Sequence, residues 1–248
     1  MNRWITAVMI GLSACPGGCE VGRSLTGIGG EGRIGDGPIA GRWYQVEGDK
    51  PNAPTTIWDL TPGEQGEWSV RMWSKDPDES ELLTANIVVE GGRVLFDARR
   101  AGGGDEFAVP LRLLGSLRWS DRSMIIALMQ RPESAEAEHL ARAGVGIMPL
   151  PGRMGPPPAE GDGAEALLAA LAERAGGADT EWILAGDEPA TRRYLVSADE
   201  RGRVTPQIIL TRAPLFEPED ADDEDKLVWV RAYDPWLASE IESWEERE

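Results

Sequence analysis

Glu67-Trp68-Ser69-Val70-Arg71-Met72-Trp73 decides the fold class: in an extended chain Trp68, Val70 and Met72 share one face, while Glu67, Ser69 and Arg71 share the other. The same period of two runs through residues 42–47, 55–60, 83–89, 93–98, 107–113 and 124–129. Turn signals separate these runs: Pro62-Gly63, Asp76-Pro77-Asp78, Gly91-Gly92, Gly102-Gly103-Gly104 and Ser120-Asp121. The spacing predicts short strands joined by hairpin-length loops, and hence an antiparallel meander closing into a barrel or sandwich. Val94 and Phe96, after Gly91-Gly92, mark the clearest hairpin.

Beyond residue 131 the pattern changes. Residues 133–142 are Ala- and Glu-rich and read as a helix, and the Pro/Gly stretch 149–161 reads as a linker. Asp162 caps a second expected helix, with Leu167, Leu168, Leu171 and Ala175 on one stripe and Gly176-Gly177 as its stop. Strands are expected again at 182–185, 193–196, 207–211 and 227–233. A final helix is expected after Asp234 as N-cap, with Leu237, Ile241 and Trp244 on one face. The expected architecture is mainly β: an antiparallel β-domain over 38–148, then an α+β segment over 162–248 that is either separate or part of the same barrel. Trp43 followed by Gly48-Asp49-Lys50-Pro51, and Trp182 followed by Gly186-Asp187-Glu188-Pro189, form an internal echo that turn chemistry alone also produces.

With 43 acidic and 25 basic residues, the chain carries a net charge of −18. Such a charge repels phosphate backbones and anionic headgroups, so nucleic acid is not an expected partner. A single histidine and two cysteines leave no set for a multi-ligand zinc site or a Ser-His-Asp triad that does not pass through His139. No cofactor motif, metal site or catalytic residue is assigned. His139, in Glu136-Ala137-Glu138-His139-Leu140, reads as an exposed helical side chain. The acidic run 217–225 lacks the Gly turn and terminal Glu of an EF-hand loop and reads as a solvated loop with weak calcium affinity at most.

The first nineteen residues, MNRWITAVMIGLSACPGGC, supply an address. Arg3 is a positive n-region, and the apolar run 4–12 rises only about 14 Å as a helix, too short to span a bilayer. Leu12-Ser13-Ala14-Cys15 resembles the lipobox of bacterial lipoproteins. That resemblance implies a signal peptide over 1–14, acylation of Cys15 and attachment to the cell envelope. Pro16 in place of Asp after the cysteine implies the outer membrane. If Cys15 is acylated, Cys19 is a lone thiol; otherwise the pair could close a small disulfide ring. The Gly-rich stretch 15–37 reads as a tether with a reach of about 25–30 Å.

Gly41-Arg42-Trp43-Tyr44, at the head of the first strand, is similar to the Gly-x-Trp motif that opens lipocalin barrels. In that family an Arg from the end of the last strand lies over the Trp and seals one end. Arg131 in Gln130-Arg131-Pro132 and Arg212 in Thr211-Arg212-Ala213 both stand at the ends of expected strands and could serve. Gly41, Trp43, Arg131 and Arg212 are therefore the expected barrel-closing residues. The stretch from Gly41 to Arg131 holds one strand fewer than eight, whereas Gly41 to Arg212 contains an insertion with two helices. A lipocalin-like barrel, another antiparallel β-fold and a mixed α+β arrangement stay open at this point. Inward Trp residues usually make core; at a barrel mouth Trp68, Met72 and Trp73 would instead meet an apolar ligand. The expectation is a non-enzymatic, lipid-anchored envelope lipoprotein whose β-domain binds a hydrophobic small molecule, lipid or envelope protein. The rivals are an assembly lipoprotein with a filled barrel and a carboxylate-dependent hydrolase.

Overall fold

The computed structural model describes residues 23–46, 56–73, 80–101, 111–130, 136–150, 181–214 and 230–245. The strands are β1 (Arg23–Ser24), β2 (Gly41–Val46), β3 (Ile57–Pro62), β4 (Glu67–Trp73), β5 (Glu81–Glu90), β6 (Arg93–Arg100), β7 (Arg112–Trp119), β8 (Ser123–Met129), β9 (Gly146–Leu150), β10 (Glu181–Ala185) and β11 (Val204–Thr211). The helices are α1 (Ala137–Ala143), α2 (Glu188–Glu200) and α3 (Pro235–Glu245).

Eight strands close an antiparallel barrel in the order β2-β3-β4-β5-β6-β7-β8-β11, with β11 returning to pair with β2. The eighth strand thus comes from beyond the insertion. It pairs Leu210 with Gln45 on one side and with Met124 on the other. A bulge between Pro206 and Ile208 switches the face that β11 presents inward, because Pro206 cannot donate to the ladder. Inward positions are buried and apolar: Trp43, Trp58, Leu60, Trp68, Val70, Ile87, Phe96, Leu117, Met124, Ile126 and Leu210 form one cluster. Gly115 faces inward because Phe96 lies over it; a Cβ there would stand 2.6 Å from the ring and 2.1 Å from the Ala127 carbonyl.

The strand at 67–73 has the expected bounds, and the pleat places Trp68, Val70 and Met72 inside. Of the strand expected at 107–113, residues 107–110 lie outside the described residues; β7 runs from Arg112 through Gly115 and Ser116 to Trp119. The strand expected at 193–196 is instead the middle of α2. Asp187 caps that helix by accepting from the Ala190 amide at 2.7 Å, and Ala190, Tyr194, Leu195 and Ala198 repeat at helical spacing on its buried face. Residues 230–233, expected as strand, are helical, and the Asp234 side chain then caps α3 through the Trp236 amide at 3.1 Å.

A second apolar cluster lies outside the barrel wall, where α2 covers Val88, Leu95, Leu114, Ala127, Met129 and Val204. A third packs Leu237 and Ala238 of α3 on Ile125 of β8. Short β1 takes the place beside β7 that β8 leaves at Met129, and β10 and β9 extend from it as a side sheet. The barrel and the elements after residue 181 therefore share one eleven-stranded sheet.

The expected tether is corrected from Arg23 onward. Ile28 and Ile39 are buried, Arg33 bridges to Val88, and the Ile34 amide donates to the Ile87 carbonyl at 2.8 Å. Residues 23–40 are a strap along the barrel wall. Two devices hold it. Asp97, fully buried, accepts from the Ile28 amide at 2.6 Å while paired with Arg112 and Asn86. Arg192 donates to the carbonyls of Ile28, Gly29 and Glu31.

Candidate functional site

The barrel has one end sealed by its own chain. Gly41 adopts φ +104°, a conformation that side chains rarely take, and a Cβ there would stand 3.1 Å from the Arg212 guanidinium. With that Cβ absent, Arg212 lies over the Trp43 ring at 3.7 Å from its centroid. Arg212 also donates to the Arg42 carbonyl at 3.3 Å and to the Pro38 carbonyl. Burial pushes the Arg212 pKa below its usual value. The Trp43 indole N–H donates to Ile39 at 2.8 Å, and the Trp68 indole N–H donates to Ile34 at 2.5 Å. Ile34 and Ile39 thereby become the floor of the barrel, pinned by the two indoles that they cover.

Of the expected barrel-closing residues, Gly41, Trp43 and Arg212 meet at this floor; Arg131 lies outside the described residues. Cys15, Cys19, the run 217–225 and the helix expected after Asp162 lie outside them too. The expected ligand set does not form one surface. Trp68 is fully buried at the closed end. Met72 faces the interior near the opposite rim. Trp73 is on the outer face of the same strand, with the guanidinium carbons of Arg42 and Arg71 at 5.3 and 5.8 Å from its ring. A one-residue step along a pleated strand reverses the face, so Met72 and Trp73 cannot line the same space. His139 is half-buried on α1.

Toward the other end, where the chain leaves β2, β4 and β6, the inward wall changes. Ala98 is small, and Gln45, Leu83, Leu113 and Ile208 keep part of their exposure, in contrast to the fully buried Trp43, Trp68, Met124 and Leu210 below. Trp58 lies between the two zones, its indole N–H donating to the Gln45 amide oxygen at 3.0 Å. The named inward positions are apolar apart from Gln45. This is an environment that takes apolar surface out of water and offers one amide for orientation.

A concavity of about 400 Å³ lies outside the wall and is lined by Arg93, Ser116, Trp119, Asp199, Trp236 and Glu240 among others. Its charges are spent on each other, with Arg93 at 3.1 Å from Asp199 and Arg118 at 2.9 Å from Glu240. Nearby, Tyr194 donates to the buried Glu136 at 3.2 Å, and burial together with that carboxylate pushes its phenol well above the usual range. Arg201 completes this set.

Ile34 and Ile39, the floor residues, carry no periodic signal inside their Gly-rich stretch, so pattern reading passes over them. Asp97 and Arg192 are equally silent in sequence, since their partners are backbone groups far along the chain. Comparison of the chain with family models, with curated proteins and with solved structures gives no match.

Proposed function

We propose that this chain is a lipid-anchored lipoprotein of the bacterial envelope, related to the lipocalins, whose barrel takes up an apolar small molecule or lipid tail and acts by binding without catalysis. One observation carries the reading: the interior is apolar, sealed at the Trp43–Arg212 end and partly exposed at the other. The floor makes uptake one-sided, through the rim near Met72, Leu83, Ala98 and Ile208. The lipobox resemblance at Leu12-Ser13-Ala14-Cys15 supports the anchor, and Gly41, Trp43 and Arg212 support the kinship.

The test is titration of the full chain with a polyene fatty acid whose fluorescence rises in an apolar site. Saturable binding is expected. Ala98→Trp, which would fill the interior near the rim, should weaken it at least tenfold, whereas Trp73→Ala, altered on the outer face, should leave it unchanged. Equal effects of the two substitutions, or no saturable binding, would overturn the ligand reading. The bulk of Trp43, Trp58, Trp68, Phe96 and Met124 inside the barrel favours a second reading, a filled scaffold for an envelope protein. Absence of any bound apolar molecule in native mass spectrometry of detergent-extracted protein would select it.

A further inference from the structure

The geometry points to an orientation: we infer that the open end of the barrel, not the sealed one, faces the lipid bilayer, so that an apolar ligand passes between membrane and barrel with little exposure to water. This rests on acylation of Cys15, proposed above. The first argument is chain length. Arg23 pairs with Leu113, the second residue of β7, at the end of the barrel where β2, β4 and β6 also finish. Residues 16–22 alone connect it to Cys15. Eight Cα-to-Cα steps reach at most about 26–29 Å when fully extended. A barrel of strands this long, tilted by about 40°, stands roughly 20 Å tall. With the open end down, that connection has slack. With the sealed end down, it must cover the height of the barrel, about three quarters of its full reach, at a further cost in chain entropy.

The second argument is charge. Among the described residues, the strand ends at the open rim bring together Arg23, Arg71, Arg99, Arg100 and Arg112, with Glu81 and Asp97 among them, so an anionic headgroup layer meets a net positive belt there.

The experiment uses acylated full-length protein on a Cys19→Ser background, reconstituted into vesicles of phosphatidylcholine and phosphatidylglycerol that carry a headgroup-linked energy acceptor. A donor dye is placed at Leu82→Cys, on the open rim, or at Asp121→Cys, in a turn of the sealed end. Arg100→Cys, on the open rim, and Glu64→Cys, in the β3–β4 turn of the sealed end, form a second pair in case either of the first fails to fold. Transfer at least twofold more efficient from the open-rim positions is expected, and insertion of a twenty-residue Gly/Ser segment after Cys19 should shrink that difference. Equal or reversed efficiencies in protein that floats with the vesicles would overturn the orientation alone. Failure of the wild-type chain to float, or floating of a Cys15→Ala chain to the same extent, would overturn the anchor and the orientation with it.

Discussion

A single guanidinium shows how much one residue organises. Arg212 stacks on an indole, a contact contributing about 0.5–2 kcal/mol when partly desolvated, and also satisfies two carbonyls of the chain beneath it. Arg212→Met should therefore lower stability by about 2 kcal/mol, read as a fall in Tm of roughly 4–8 °C; Arg212→Lys should recover only part of it because the planar fork is lost. This site was legible in the sequence, since glycine, tryptophan and arginine each have a distinct physical task at a strand end. Tyr194 gives a test by pH. Its phenol is held above its ordinary value, so the folded protein binds a proton there that the unfolded chain releases near pH 10. The stabilisation is present in full below that pH and falls as pH rises further. Tyr194 should escape alkaline ultraviolet titration until the protein unfolds.

At the scale of elements, alternation was readable wherever one face met the interior, as in β4. It misled at 193–196, because four residues of a helix sample both faces as a strand does, and only the Asp187 cap and the Tyr194–Ala198 spacing distinguish the two. The strap at 23–40 was unreadable for a different reason. Its hold comes from backbone groups bound by distant side chains, and these leave no local pattern. Asp97 is the key to that hold, since it is buried with Arg112 and accepts from the Ile28 amide. Asp97→Ala would leave the guanidinium and an amide without their partner, at roughly 3–5 kcal/mol. The measurable outcome is faster hydrogen exchange and proteolysis across 25–33, with little change at β3 and β4. Cleavage spread evenly over the barrel would argue against a separable strap.

At the scale of the whole molecule, barrel closure was half legible: seven strands before the insertion were one too few, and sequence alone offered two candidates for the closing arginine. The structure assigns the task to β11, the last strand among the described residues. A chain ending at residue 203 would lack it, leaving the edges of β2 and β8 unpaired and Leu210 missing from the interior. Such a fragment should form soluble oligomers or aggregate, as size-exclusion chromatography would show, while the full chain runs as a discrete species. The same arrangement imposes a timetable on delivery. A chain that emerges N-terminus first across a membrane exposes β2 to β8 before residues 204–211 arrive, and for that interval the sheet has two bare edges and an uncovered apolar face. Its most hazardous moment is thus built into the order of its strands, and a holdase that recognises open sheet edges would be needed for only that window.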